Sequence, residues 1–174
     1  LEGMPVRKGM EEAGYAGAAL GNHEFDFEEV GTGPKKAGDD PFGALKALFA
    51  DSRFPILTCN VYERATGKQL AWPGFKPSIM LQVAGIKIGV LGATTPLTPS
   101  ITPGAVGQQL EFRPLAESVQ AEADKLRASG ANFVVALVHA GGACNSFDNP
   151  DDTSSCDAAS ESFELARALK PGSV

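Results

Sequence analysis

The chain has 174 residues, 43% of them hydrophobic, with a formal net charge of −6 and a pI near 4.9. That length lies within single-domain range and can bury a sizeable core. The acidic balance argues against a nucleic-acid surface, no run of about 18 apolar residues offers a membrane span, and no positively charged leader with an apolar core is visible.

The order of elements alternates helix and strand without internal repeats. Pro5 at a first turn, Val6, Met10 and Ala13 on one face and Gly14 as a stop predict a short helix. It feeds a buried strand from Tyr15 to Leu20. The segment from Glu28 to Asp40, rich in Gly, Lys and Asp, reads as a mobile loop. Phe42, Leu45, Leu48 and Phe49 mark a second amphipathic helix, followed by a strand from Pro55 to Val61. Ile79 to Val83 and Ile86 to Leu91 flank Ala84-Gly85 in the pattern of a two-residue hairpin. Thr94 to Gly107, with three prolines and no period, reads as a loop. Pro114, then Leu115, Val119, Ala123 and Leu126 before Gly130, predicts the clearest helix of the chain. A strand from Asn132 to Val138 follows, then an irregular polar stretch from Gly141 to Cys156. A last helix from about Ala158 to Leu169 is halted by Pro171-Gly172.

The chemistry concentrates in Gly21-Asn22-His23-Glu24-Phe25-Asp26, directly after the first strand. Ligands and catalytic groups belong at such strand ends. The Asn22 side-chain oxygen is a neutral hard donor suited to a divalent ion that also takes carboxylates. His23, its neighbour, is freer to act on substrate, and Asp26 three residues on can bond its far nitrogen, fixing the tautomer and favouring the imidazolium. A His held protonated in this way is a candidate general acid or transition-state stabiliser. The plainer reading is a glycine turn with an exposed histidine; the whole hexapeptide after a strand outweighs it. His139, the second of only two histidines, also stands at a strand terminus, before Ala140-Gly141-Gly142. A polar cap is the plain reading there, and the shared placement of both histidines favours a metal ligand. Both are expected on one edge of a mixed sheet.

This hexapeptide resembles the signature block of the calcineurin-like metallophosphoesterases, and within them the bacterial 5'-nucleotidase branch. The likeness continues in the family's order through Asp40-Pro41-Phe42-Gly43-Ala44-Leu45, Thr58-Cys59-Asn60-Val61, Gly89 to Pro96, and Val134 to Gly142. It implies an α/β fold, a sandwich of mixed sheets flanked by helices, here incomplete. It further implies metal-ligand roles for Asn22 and His139, and a catalytic dyad of His23 and Asp26. The implied reaction is hydrolysis of nucleotides or related phosphomonoesters by metal-activated hydroxide attack, with two divalent ions such as Mn, Zn or Mg. A nucleotide or similar small phosphoester is the implied partner, and a periplasmic or secreted location the implied setting.

Three blocks of the family pattern are missing: Asp-x-His, the bridging Asp of Gly-Asp, and Gly-His-x-His. Residues 1–174 therefore look like the central part of one catalytic domain lacking its flanking sequence. One amide and one imidazole cannot offset the dehydration of a small cation, so weak or no metal binding and no activity are expected of this segment alone. The alternative is a non-catalytic scaffold or binding module that keeps the fold.

Cys59 in its apolar strand reads as a small buried hydrophobe. Cys144 and Cys156 share an irregular loop, which leaves a disulfide open; the oxidising compartments of the resembled family weigh towards it. Trp72 before Pro73-Gly74-Phe75 reads as an aromatic clip on a turn. The acidic run Asp148, Asp151 and Asp152 does not match a calcium loop and reads as solvated. Gly89 and Gly92 lack the spacing of a dinucleotide fingerprint.

Overall fold

A computed structural model describes residues 3–27, 30, 38–102, 104–149 and 151–174. Most of the expected loop from Glu28 to Asp40 lies outside these residues. The described helices are α1 (Met4–Glu12), α2 (Gly43–Ala50), α3 (Thr98–Ile101), α4 (Gly104–Gln109), α5 (Leu115–Ala128) and α6 (Glu161–Ala168). The strands are β1 (Ala18–Ala19), β2 (Ile56–Leu57), β3 (Val61–Glu63), β4 (Phe75–Lys76), β5 (Ser78–Val83), β6 (Ile86–Thr94), β7 (Leu110–Phe112) and β8 (Phe133–His139). They form a parallel sheet β1-β2-β4, a mixed sheet β5-β6-β8 and a short antiparallel pair β3-β7.

The mixed sheet carries the clearest sequence logic. β5 and β6 pair antiparallel from Ser78↔Leu91 to Val83↔Ile86. Their two-residue turn puts Ala84 at φ 49° and Gly85 at φ 82°, the doubly left-handed geometry that matches the twist of a tight hairpin. β8 runs parallel to β6 in a register that ends at Thr94↔His139. α5 covers one face: Leu115, Val119, Ala123 and Leu126, the stripe expected at helical spacing, pack with Leu91, Ala93 and Val134, and Leu165 of α6 joins them.

A second core lies on the β1-β2-β4 side. Leu20, Phe25, Phe42, Leu45, Phe49, Phe54, Ile56 and Phe75 are among its buried members. Phe25 sits edge-on to both Phe42 and Phe112 with ring centroids 6.1 Å apart. The two sheets stack through a close approach at Gly92, where an added Cβ would lie 2.1 Å from the Leu57 carbonyl oxygen. That glycine serves packing. Cys59 N–H donates to the Gly92 carbonyl at 2.7 Å across the same junction.

Several expectations are corrected. The inward stripe of α1 is Met4, Arg7, Met10 and Glu11, while Val6 is 67% exposed. Arg7 donates to the Leu48 carbonyl and pairs with Glu11, so a polar clamp stands beside the apolar contact of Met10 with the core. The regular part of the first strand is Ala18–Ala19 only, and the stretch from Pro55 to Val61 divides between two sheets. The expected loop from Thr94 holds α3 and most of α4. There Thr98 and Thr102 hydroxyls donate to the carbonyls of Thr95 and Thr98, local bonds that no hydrophobic period announces. The last helix begins three residues later than expected, at Glu161.

Cys59 is buried, and burial pushes its thiol up to about 12. Cys144 and Cys156 form a disulfide. Trp72 packs against Phe42 and Phe75, and its indole N–H donates to Glu63. Asp148, Asp151 and Asp152 are exposed. No described helix is long and apolar enough to cross a membrane.

Candidate active site

The signature residues follow β1 as a single 3-10 turn, Asn22–Phe25. Phe25 anchors the turn in the core, and Glu24 reaches back so that the Gly21 N–H donates to its Oε2 at 2.5 Å. This single backbone-to-carboxylate bond closes the turn, and Asn22 and His23 project from its tip.

His139 ends β8 and faces the same point. Its Nε2 lies 2.7 Å from Asn22 Oδ1, across 117 residues of sequence. β1 and β8 belong to different sheets, so the expectation of one shared sheet edge is corrected: two stacked sheets bring their tips together. The reason is the close layer contact at Gly92, reinforced at the tips, where the Thr94 hydroxyl donates to the Leu20 carbonyl at 2.7 Å. Gly21 completes the fit. A Cβ there would stand 3.1 Å from His139 Nδ1 and 2.7 Å from Glu24 Oε2, so the bare α-carbon gives the imidazole its place.

Beside this pair, His23 Nδ1 lies 2.9 Å from Asp26 Oδ2. The hydrogen bond to Asp26, with that carboxylate's charge and a smaller contribution from Glu24, raises the His23 pKa above its ordinary value. The ring is 78% exposed, so the imidazolium is open to an incoming ligand.

The Asn22 and His139 donors suit a borderline divalent ion, one hard oxygen and one imidazole nitrogen. Neighbouring ligands at about 2.1 Å from an octahedral ion sit about 3 Å apart, close to the observed 2.7 Å, so adjacent coordination needs only a slight opening. Among the described residues no group of three or more His, Cys, Asp and Glu gathers to complete a metal centre.

Three contributors escaped the sequence reading. Asn60, fully buried, donates to the Thr94 and Arg113 carbonyls and accepts the Thr94 N–H, which pins the β6 tip. Its signal was a polar residue inside an apolar strand. Thr95 N–H donates to the His139 carbonyl, and Glu161 accepts the Thr95 hydroxyl; nothing in the local sequence marks either.

No family model matches the chain. The fold is that of the calcineurin-like phosphoesterases: the structure superposes on YfkN from Bacillus subtilis, a calcineurin-like phosphoesterase, with a TM-score of 0.69 over 97% of this chain and 45% of that one, at 21% identity. The 5'-nucleotidase precursor from Thermus thermophilus gives a TM-score of 0.63 at 30% identity, covering 79% of this chain and 24% of that one. Protein UshA from Escherichia coli is 30% identical over 171 residues, 98% of this chain. The chain is thus a homologue of UshA and the 5'-nucleotidases over most of its length, with the fold of the calcineurin-like phosphoesterases. It spans 27% of the length of UshA.

Proposed function

We propose that residues 1–174 form the central part of the catalytic domain of a two-metal phosphoesterase acting on nucleotides or related phosphomonoesters. The observation that carries the reading is the approach of Asn22 Oδ1 and His139 Nε2 to 2.7 Å beside the His23–Asp26 pair. Asn22 and His139 would hold one divalent ion in part, with the remaining donors, carboxylates among them, supplied by flanking polypeptide. Such ions, when bound, supply a water of lowered pKa and neutralise phosphoryl oxygens.

The chain's own part in the reaction is positioning and proton handling. Asp26 fixes Nδ1 of His23, leaving Nε2 as the nitrogen that meets the phosphoester. Held as imidazolium, His23 would place positive charge against a developing phosphoryl oxyanion or donate its proton to the leaving oxygen. An acidic chain needs cations to draw in an anionic ester, which agrees with a metal-dependent site. The apolar sheet face carrying Val83, Ile86, Phe133 and Val135 is exposed, which supports a domain completed by further polypeptide. A periplasmic or secreted setting fits the disulfide between Cys144 and Cys156.

The test is a nucleotidase assay with manganese on this polypeptide and on the same polypeptide extended by its flanking coding sequence. Activity only with the flanks, lost by about 10²–10⁴ in His23→Ala, supports the reading. An extended protein that is inert with every divalent ion and phosphoester supports a non-catalytic module instead.

A further inference from the structure

The imidazole of His139 is aimed by its neighbours as well as by β8. Its carbonyl accepts the Thr95 N–H at 2.8 Å. The Thr95 hydroxyl donates to the Glu161 carboxylate, 2.7 Å from Oε1 and 2.6 Å from Oε2. Glu161 Oε2 also accepts the Gly141 N–H at 3.3 Å, two residues past His139. A single carboxylate from α6 therefore bridges the segment that bonds His139 and the segment that leaves it.

The direction of the hydroxyl bond is fixed. The carboxylate oxygens can only accept, so the Thr95 proton goes to Glu161, and Thr95 Oγ1 in turn accepts the Leu97 N–H at 3.1 Å. Thr95 is buried, so this is a charge-assisted bond in a poorly solvated place. The start of α6 also lies close to the glycine pair after β8: a Cβ on Gly142 would stand 2.5 Å from Ser162 Oγ, so a side chain there would have to turn that hydroxyl away. Ser162 N–H donates to the Gly141 carbonyl at 3.0 Å and locks the contact. A carboxylate in a first helical turn would serve its own helix dipole equally well facing solvent. Here it takes its donors from the two segments flanking His139.

We propose that Glu161 is a positioning residue for His139, holding the β8 tip so that its ring stays against Gly21 and Asn22. This rests on the Asn22–His139 pairing described above. The test is proton NMR of the 174-residue chain, whose two histidines give two separable sets of ring signals, assigned with His139→Asn. His139 Cε1 lies 3.2 Å from the position of a Gly21 Cβ, so a cross-peak between Gly21 Hα and the His139 ring is expected in the native chain. In Glu161→Ala, a drift of about 0.5 Å, the tolerance of a working site, would cut this cross-peak by about half. Glu161→Gln, which still accepts the hydroxyl, is expected to retain it. Thr95→Val should reproduce the loss and Thr95→Ser should not, which keeps the test open if Glu161→Ala fails to fold. An unchanged cross-peak in folded Glu161→Ala or Thr95→Val overturns the role of Glu161. Its absence from the native chain overturns the Asn22–His139 pairing itself, and the inference with it.

Discussion

Replacing Asn60 by alanine probes the junction behind the candidate site. Asn60 has no exposed surface and makes three hydrogen bonds: Nδ2 donates to the Thr94 carbonyl at 2.7 Å and the Arg113 carbonyl at 3.0 Å, and Oδ1 accepts the Thr94 N–H at 2.9 Å. Each bond contributes about 1 kcal/mol net, and each buried partner left unpaired costs about 1–3 kcal/mol, so Asn60→Ala should destabilise the chain by about 3–5 kcal/mol. A domain of this size has about 5–15 kcal/mol in total, so the loss should be plain in urea unfolding followed by Trp72 fluorescence. Asn60→Asp sharpens the reasoning. Its second oxygen would face two carbonyls, and burial together with those neighbours would raise the folded-state pKa above the unfolded value. Its stability should therefore be greatest below the unfolded pKa, about 3.9, and fall as pH rises towards the folded one. A cost under about 1 kcal/mol for Asn60→Ala would refute the claim that these bonds hold the β6 tip.

Four further outcomes follow from the structure. Gly92→Ala would set a methyl 2.1 Å from the Leu57 oxygen and strain the Cys59–Gly92 bond, so a loss of at least about 3 kcal/mol in urea unfolding is expected. Gly9→Ala in α1, whose added Cβ meets nothing, should instead gain about 0.5–1 kcal/mol. The His23 ring should titrate by NMR with a midpoint above about 6.5, and Asp26→Asn should return it there. The sign of the linkage follows: the stabilisation from His23 is full below the unfolded pKa and is lost as pH rises through the raised folded one. Ala84 holds φ 49° in the hairpin; Ala84→Gly should relieve about 1 kcal/mol of left-handed strain, read as a shift in the urea midpoint at constant m.

How far the sequence revealed the fold depended on whether each element is held locally. The stripe Leu115, Val119, Ala123 and Leu126 and the Ala84-Gly85 turn are local facts, and both emerge as read. β4 and β7 are two and three residues long and are defined by partners elsewhere, β2 and β3. No period can announce such pieces. α1 was placed correctly but its face was not, because Arg7 and Glu11 turn inward to bond the chain near Leu48 and Arg53. At the candidate site, Asn22, His23, Asp26 and His139 were legible because each stands at a strand end or in one tight turn. Glu161 and Asn60 act across 66 and 34 residues, on Thr95 and Thr94, distances at which sequence pattern carries no signal.

The site inherits its precision from the packing of two layers. Asn22 hangs from the β1-β2-β4 sheet and His139 from the β5-β6-β8 sheet, so their separation is set by how closely the sheets stack. That spacing depends on three groups: the missing side chain of Gly92 against Leu57, the Thr94 hydroxyl on the Leu20 carbonyl, and the Asn60 amide behind Thr94. Each bears on the backbone just before a strand tip, and close-packed interiors transmit small displacements instead of absorbing them. A change at Gly92 or Asn60 should thus reach Asn22 and His139 without touching either. His23 and Asp26 lie within a single turn and share only its anchor, Phe25. The imidazole–carboxylate pair is accordingly a local device that should survive loosening of the layers, while the Asn22–His139 pair depends on both sheets at once.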